Sequence, residues 1–293
     1  MSRPGSVCSV LAGVEVAKRL IRRGYRVLAV DRTQELSDLA ANALGGESIP
    51  VPCDLSVAVE TTDLCQRITT EWPQDLEVLV CNAGVTVPAD VVDHTPGEID
   101  RQLDVTLRSS MHLINAALGV FLPRNRGHVM ATVSRGGICP LPGSAPSLAA
   151  NAGLRAFLAA LNCEVAGTGV HVSGIYPTAV NTPMLEGEAR LGSALNFLSR
   201  VLTVNEVADA YERVLDKPKL ELYVPNHESL SARAALWTPS LIRRVIPLLQ
   251  SHRRARARQV PENPLPKWRP IPNRSTPRDG HHSLDSRASG VFR

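Results

Sequence analysis

The stretch SRGGICPLPGSAPSLAAN, residues 134–151, contains the side chains of this sequence whose types and spacing come nearest to a reaction centre. Ser134 stands beside two glycines, and Ser147 and Asn151 are four residues apart in a segment of small residues. General acid–base catalysis needs a group whose pKa can be brought near the working pH. A serine hydroxyl starts well above the tyrosine value of about 10, and a neutral amide supplies no charge to lower it. We therefore expect hydrogen bonding from these residues, but no proton shuttle.

The other residue types that commonly transfer protons are expected to be structural. His112 and His128 fall in a predicted helix and at the start of a predicted strand, and Tyr176 lies in a predicted strand with nothing cationic evident beside it. A Ser-His-Asp hydrolase is not indicated, because its serine sits in a Gly-x-Ser-x-Gly turn and TVSRG around Ser134 lacks the first glycine. The sequence offers no replacement proton donor.

The six cysteines argue against a metal site. They are scattered, and no two of them have the Cys-x-x-Cys spacing of zinc sites. A disulfide framework is equally unexpected in a chain of 293 residues. The sequence therefore predicts no metal site and reduced thiols, which are typical of a cytoplasmic protein.

Polar and small residues follow several predicted strands. Asp31 ends the second predicted strand, where a carboxylate can accept hydrogen bonds from both hydroxyls of an adenosine ribose and repels a 2′-phosphate. This favours NAD over NADP, although a guanidinium at Arg32 can pair with a phosphate. Asp54 ends the third predicted strand, where it can meet an adenine edge or simply cap a turn.

Two further strand ends complete this set. Asn82, Ala83 and Gly84 follow the fourth predicted strand, and small residues there let the backbone approach a flat ligand. Pro177 fixes a turn after a later strand, and Thr182 offers a hydroxyl close behind it. Each feature alone is explained by a turn or a cap, but their order along the chain points to one binding site.

The elements that must position these residues alternate from about residue 14 onwards. Helical and strand patterns in alternation predict βαβ units and a parallel sheet with helices on both faces, which is a Rossmann-like, doubly wound α/β fold. The predicted helices are 14–24, 34–45, 57–71, 96–122, 147–166 and 205–215, and the predicted strands are 25–31, 48–54, 76–84, 127–134, 169–177 and 219–225. Ligands of such sheets bind at the carboxyl ends of the strands.

Composition divides the chain into three parts. Hydrophobic residues make up 44% and aromatic residues only 4%, which suits one large α/β domain over residues 1–227. Residues 228–251 are helical in pattern but contain two prolines, and are expected to be a docking helix. Residues 252–293 hold six prolines and ten Lys or Arg against three Asp or Glu, a composition typical of a disordered basic tail.

The net charge of +4 therefore belongs to the tail, and the body of the chain is mildly acidic. The sequence shows neither a secretory segment nor a run of about 18 apolar residues that would span a membrane. We expect nucleic-acid or membrane contact through the tail to be absent, because short basic runs are usually solvated ends.

The order and spacing of these segments resemble the short-chain dehydrogenase/reductase family over roughly residues 6–225. The segments that carry the resemblance are GVEVAKRLIRRGYRVLAVDR, CDLS, CNAGV, SRGG, GTGVHVSGIYP and NTPM, of which CNAG is the most specific. The resemblance implies an NAD or NADP cofactor and oxidoreduction of an alcohol or a ketone. It assigns cofactor contacts to the strand-end residues above and to Gly13, which matches the last glycine of the family's phosphate loop.

The rest of that loop departs from the family pattern. Ser6 stands in place of its threonine, and Val7 and Leu11 replace two of its glycines. A valine cannot take a positive φ without strain, so the loop cannot curl in the same way around a pyrophosphate. Either an apolar first strand lies upstream, or VCSVLA is itself that strand and the loop is shortened. Both arrangements weaken the expected dinucleotide binding.

The family's catalytic positions depart as well. Ser134 matches the serine that polarises the substrate carbonyl, but Ser147 and Asn151 stand where the family has a tyrosine and a lysine. Thr106 stands where the family has an asparagine of its proton relay. The resemblance therefore implies the binding site of an oxidoreductase from which the usual proton chemistry is missing.

Three functional hypotheses remain open. The first is an oxidoreductase with an unusual proton donor, acting on an apolar alcohol or ketone. The resemblance places a substrate lid at 184–202, whose leucines and Phe197 indicate an apolar substrate. The second, which the chemistry favours, is a catalytically silent relative that binds a ligand or assembles with itself or with an active relative through helices 96–122 and 147–166. The third and weakest is attachment to a membrane or nucleic acid through residues 236–258.

Overall fold

The computed structural model describes residues 7–11, 13–45, 48–134, 138, 141–185 and 200–226, all of which fall in one compact unit. The predicted docking helix at 228–251, the tail at 252–293 and most of the expected lid at 184–202 lie outside these residues. Residues 236–258, through which the third hypothesis places an attachment, also lie outside the described ranges.

The described residues form a seven-stranded parallel sheet with the order β3-β2-β1-β4-β5-β6-β7. This order confirms the doubly wound fold. Strands β2 and β3 extend the sheet to one side of β1, and the strands from β4 onwards extend it to the other side. The strands are β1 (Val7–Leu11), β2 (Arg26–Asp31), β3 (Ser48–Pro52), β4 (Leu76–Cys81), β5 (Gly127–Thr132), β6 (Val170–Pro177) and β7 (Glu221–Val224).

Helices cover both faces of the sheet. They are α1 (Val14–Arg22), α2 (Gln34–Leu44), α3 (Ala58–Glu71), α4 (Pro96–Leu103), α5 (Ser109–Phe121), α6 (Ala145–Glu164) and α7 (Val204–Asp216), with a short 3₁₀ turn at Val91–Asp93. One buried apolar cluster joins the sheet to α3, α5 and α6, and a second joins it to α1 and α7. The central strands are therefore buried on both faces, which explains their runs of Val and Leu.

Local signals in the sequence explain several helix ends. Gly24 follows α1 with φ +86°, a conformation that glycine adopts without the strain of a side chain. The hydroxyl of Thr95 accepts a hydrogen bond from the Glu98 backbone N–H while the Glu98 carboxylate returns to Thr95, so α4 begins with a capping box. Thr203 and Glu206 form the same arrangement at the start of α7.

The first strand settles the choice between the two arrangements of the N-terminal segment. Val7–Leu11 pairs in parallel with β2 on one side and β4 on the other. VCSVL is therefore the central strand, and only residues 12 and 13 separate it from α1. The β1–α1 connection is too short to form the glycine-rich loop that the resemblance implies.

The predicted helix at 96–122 differs in its middle, where Asp104–Arg108 forms a π-helical turn between α4 and α5. The hydroxyls of Ser109 and Ser110 donate to the carbonyls of Val105 and Thr106 at 2.7 and 2.9 Å. Such bonds to the preceding turn bend helices. The sequence pattern predicts one continuous helix over 96–122 and does not indicate this turn.

Candidate functional site

A cavity of about 590 Å³ opens at the carboxyl ends of β4, β5 and β6, beside the start of α1. This is the edge of a doubly wound sheet at which ligands bind. Ten of the twelve predicted site residues line it: Gly13, Asn82, Ala83, Gly84, Thr106, Ser134, Ser147, Asn151, Pro177 and Thr182. The fold therefore brings together residues that are up to 169 positions apart in the sequence, from Gly13 to Thr182.

The two predicted carboxylates lie at neighbouring strand ends but do not line the cavity. Asp31 ends β2, and its Oδ1 accepts a hydrogen bond from the Arg32 backbone N–H at 2.8 Å. Asp54 follows β3, and its Oδ1 accepts from both the backbone N–H and the hydroxyl of Ser56 at 2.9 and 2.6 Å. Asp54 thus stabilises its own turn, which is the simpler of its two predicted roles.

Asn151 connects the two halves of the candidate catalytic segment. It is only 7% exposed. Its Oδ1 accepts from the backbone N–H of Ser134 at 2.8 Å, and its Nδ2 donates to the carbonyl of Ser147 at 2.9 Å. The amide that stands in the lysine position therefore holds the end of β5 against α6, and its oxygen already has a partner.

Thr106 lies in the π-helical turn with 5% of its surface exposed. Its Oγ1 is buried and has no hydrogen-bond partner among the described residues. The same atom would lie 3.7 Å from a Cβ built on Gly84, so it sits beneath the loop that follows β4. No described neighbour is therefore in place to receive a proton from this hydroxyl.

Replacing Thr106 with valine is expected to raise the free energy of unfolding by about 1 kcal/mol, because an unpaired buried hydroxyl gives way to a methyl group of the same shape. Thermal and urea unfolding measure this change. Thr61→Val is the matched control, since Thr61 is equally buried in α3 but donates to the Val57 carbonyl, and this variant should lose about 0.5–1 kcal/mol. A destabilised Thr106→Val protein would mean that the hydroxyl has a partner.

The charge of the cavity is unusual for a site of proton transfer. Among the described residues that line it, Glu15 is the only one with an ionisable side chain. Glu15 lies in the first turn of α1 and pairs with Lys18 at 2.7 Å. It belongs to the α1 end of the cavity, whereas Ser134 and Ser147 belong to the β5 and α6 side. No described histidine, cysteine, tyrosine, lysine or arginine contributes to the lining.

The three residues expected to be structural lie away from the cavity lining. His112 is exposed on α5, and His128 is buried with its Nε2 2.9 Å from the Ser173 hydroxyl. Burial lowers the pKa of His128 to about 3, so its ring is neutral. Tyr176 is 1% exposed and stacks on Tyr223, with 4.9 Å between the ring centroids.

The expectation that nothing cationic lies beside Tyr176 is wrong. Arg155, one helical turn after Asn151 on α6, lies within hydrogen-bonding reach of Tyr176 and pairs with Glu221 at 2.8 Å. Burial nevertheless raises the pKa of Tyr176 above its usual range, and Glu221 adds to the effect. Tyr176 is therefore a packed residue and a poor acid.

Sequence reasoning missed a hydroxyl chain at the back of the cavity. Thr132, which lines the cavity, donates to Asn82 Oδ1 at 2.6 Å and lies 2.5 Å from the hydroxyl of Tyr211 on α7. This chain fixes the side chain of Asn82, and with it the backbone that leads to Ala83 and Gly84. A strand threonine and a helix tyrosine 79 positions apart carry no local signal of such a contact.

No group of three or more His, Cys, Asp or Glu residues within the described ranges could hold a metal ion. The described cysteines Cys53, Cys65, Cys81 and Cys163 are free thiols, and burial raises the pKa of Cys53 and of Cys81 to about 12. In the part of the chain that the structure describes, no helix has the length and apolarity needed to cross a membrane.

Comparison with known proteins decides the family. A model of the short chain dehydrogenase family matches residues 12–190, more than half of the chain. The chain belongs to this family of oxidoreductases. An uncharacterized oxidoreductase of Staphylococcus epidermidis is 27% identical over 207 residues, which are 70% of this chain and 86% of that protein.

Solved structures of the family share the fold. One is a metagenomic short-chain oxidoreductase in complex with NADP, with a TM-score of 0.63 and 22% identity over 76% of this chain and 98% of that one. Another is the bulky-bulky ketone specific alcohol dehydrogenase from Comamonas testosteroni, with a TM-score of 0.68 and 20% identity over 89% of this chain and 96% of that one. At these identities the likeness concerns the fold.

The residues present fit the two ends of a nicotinamide dinucleotide better than its centre. Ala83 and Gly84 leave room for a flat ring at the end of β4, and Asp31 stands at the end of β2 for an adenosine ribose. The first N–H groups of α1 follow Gly13 without a side-chain cap, so they remain available to a pyrophosphate. The short β1–α1 connection and the Glu15 carboxylate lie beside that central part.

Proposed function

We propose that this chain binds a nicotinamide dinucleotide, with NAD favoured over NADP, and is catalytically silent or strongly impaired in hydride transfer. A bound nicotinamide would supply or accept the hydride, but reduction of a carbonyl also needs a proton. The observation that carries the proposal concerns Asn151, which stands where the family has an activating cation. Its amide is hydrogen-bonded to the backbone of Ser134 and of Ser147. Neither Ser147 nor Thr106 can supply that proton at neutral pH.

The ligand that shares the cavity with the dinucleotide is proposed to be neutral and apolar. Valine, leucine, proline and methionine side chains form much of the lining, including Leu141, Leu148, Val180, Met184 and Leu185. Without a described cation in the lining, a carboxylate or phosphate ester would meet no countercharge there. The absence of an ionisable donor on the β5 and α6 side also supports binding rather than turnover.

The biological role that follows is regulation or assembly, either as a homo-oligomer or as the silent partner of an active relative. The exposed face of α6 supports this, because Ala149, Ala152, Ala156 and Ala160 are small residues that permit close helix packing. The free thiols support a reducing compartment such as the cytoplasm.

The proposal predicts binding without turnover. Titration with NADH, followed by the fluorescence of the reduced nicotinamide, should saturate. Steady-state oxidation of NADH with a panel of apolar ketones should stay at the level of buffer, because loss of acid–base assistance alone costs about 10²–10⁴ in rate. Brisk ketone reduction by the purified natural chain would overturn the proposal that it is catalytically silent. Absence of any nicotinamide binding would overturn the proposed identity of the ligand.

The same titration with NADPH serves as the internal comparison. A 2′-phosphate near Asp31 costs about 1–3 kcal/mol at an effective dielectric constant near 20, so NADPH should bind roughly tenfold more weakly than NADH. Equal affinities would mean that Arg32 compensates for the carboxylate.

A further inference from the structure

The segment between β4 and α4 forms one wall of the cavity through Val85 and Thr86. Three contacts hold it in place. The backbone N–H of Val87 donates to Gln102 Oε1 at 3.1 Å, and that of Ala89 donates to the carbonyl of Gly143 at 3.1 Å. The third contact is made by His94, which is only 9% exposed.

Both ring nitrogens of His94 face carbonyl oxygens. Nδ1 lies 3.0 Å from the carbonyl of Asp90, and Nε2 lies 3.0 Å from the carbonyl of Val87. A carbonyl oxygen only accepts hydrogen bonds, and a neutral imidazole carries one N–H. In the neutral ring one bare nitrogen would therefore point its lone pair at an oxygen, whereas the doubly protonated ring donates to both.

We propose that His94 is a positioning residue of the ligand cavity, and that its imidazolium form holds the wall segment 85–93 in the binding conformation. Two charge-assisted hydrogen bonds then join the His94 ring to the carbonyls of Asp90 and Val87, which closes the segment into a loop. Loss of one ring proton removes one of these bonds and leaves a repulsive contact in its place. Ligand affinity at the cavity then depends on pH through His94.

The titratable groups around His94 lie on the segment itself and on α4. On α4, the pKa of Glu98 is held below its usual value mainly by the Thr95 backbone N–H, then by the Thr95 hydroxyl, with a contribution from the charge of His94. Asp90 and Asp93 of the segment itself are exposed, as are Asp100 and Arg101 of α4. The facing loop 141–144 contains no titratable side chain.

The effect has a defined sign. The two-carbonyl contact is complete at pH values where the ring carries both protons and is lost as the pH rises through the deprotonation of the folded-state ring. Binding of a ligand against Val85 and Thr86 should therefore weaken toward alkaline pH.

The first test reads the ring directly in the full chain, without any ligand. Nitrogen-15 NMR of the histidine side chains at mildly acidic pH should show both nitrogens of His94 protonated, and hydrogen exchange should show the Val87 and Ala89 amides losing protection, beyond the intrinsic pH effect, as that ring deprotonates. The proposal is overturned if the His94 ring keeps one bare nitrogen at every pH at which the protein is folded. It is also overturned if protection of the Val87 and Ala89 amides does not change when the ring deprotonates.

The second test uses NADH as the probe and rests on the proposed function. The natural chain should lose roughly tenfold in NADH affinity between mildly acidic and mildly alkaline pH, as expected for one charge-assisted hydrogen bond. His94→Gln should bind weakly at every pH, and His94→Arg, which stays charged and can donate to both carbonyls, should restore affinity at alkaline pH.

His112→Gln is the matched control, because His112 is exposed on α5 and this change should leave the pH profile intact. A pH profile that survives His94→Gln overturns the proposal. If NADH fails to bind at any pH, the proposed function fails, while the role of His94 is still decided by the NMR and hydrogen-exchange results.

Discussion

The double variant Ser147→Tyr with Asn151→Lys is expected to oxidise NADH in the presence of an apolar ketone at a rate well above that of the natural chain. Ser147 is half-buried and lines the cavity, so a phenol at this position projects toward the ligand. Residues four apart on a helix share a face, which places a lysine ammonium at 151 beside that phenol. The cation lowers the phenol pKa and makes proton donation possible.

The expected gain is about 10²–10⁴ in rate over the natural chain, which is the usual contribution of a positioned acid. The measurement is ketone-dependent loss of NADH absorbance under steady-state conditions. Ser147→Phe with Asn151→Lys is the matched control, because it carries the same ring and the same charge but no hydroxyl. If both double variants are equally active, the phenol proton is not the source of the activity.

Removing Asn151 has a structural cost that must be measured separately. A lysine at 151 takes away the oxygen that accepts the Ser134 N–H, and an unpaired backbone donor there costs about 1–3 kcal/mol. The free energy of unfolding of the single variant Asn151→Lys should therefore be measured alongside the kinetics of the double variant. A folded double variant without activity would contradict the view that only proton chemistry is missing, and adding Thr106→Asn would then test the relay position.

Most of the architecture was predictable because local patterns specify it. The alternation of buried strands with amphipathic helices predicted the doubly wound sheet, and the glycine at position 24 marked the end of α1. The strand-end residues were predictable for the same reason, since parallel strands bring their carboxyl ends to one edge of the sheet. Asn82, Ala83, Gly84 and Pro177 accordingly meet at a single cavity.

The details that decide the chemistry depend on contacts between distant segments. The sequence left open which contacts the Asn151 amide makes; the fold pairs it with the backbone of Ser134 and Ser147, at the lining of the cavity. The two carbonyls around His94 come from backbone geometry in an irregular segment, which no residue pattern specifies. Departures from the family motif thus identified which catalytic positions are substituted, but not which new contacts the substituted residues make.

The strand that positions Ser134 also provides a test of the fold. A Cβ at Gly127, the first residue of β5, would lie 2.1 Å from Cγ of Phe121, which is completely buried at the end of α5.

Gly127→Ala should therefore cost about 3 kcal/mol of unfolding free energy, because a ring in a close-packed core cannot move aside without straining its neighbours. Urea unfolding measures the loss. Gly119→Ala on α5 is the control: a Cβ added there has no neighbouring atom within 4 Å, so this variant should instead gain about 0.5–1 kcal/mol from helix propensity. Adding Phe121→Leu to Gly127→Ala should recover part of the loss by making space. A Gly127→Ala protein as stable as the natural chain would mean that Phe121 does not lie over the start of β5, and the packing of α5 against the sheet would need to be revised.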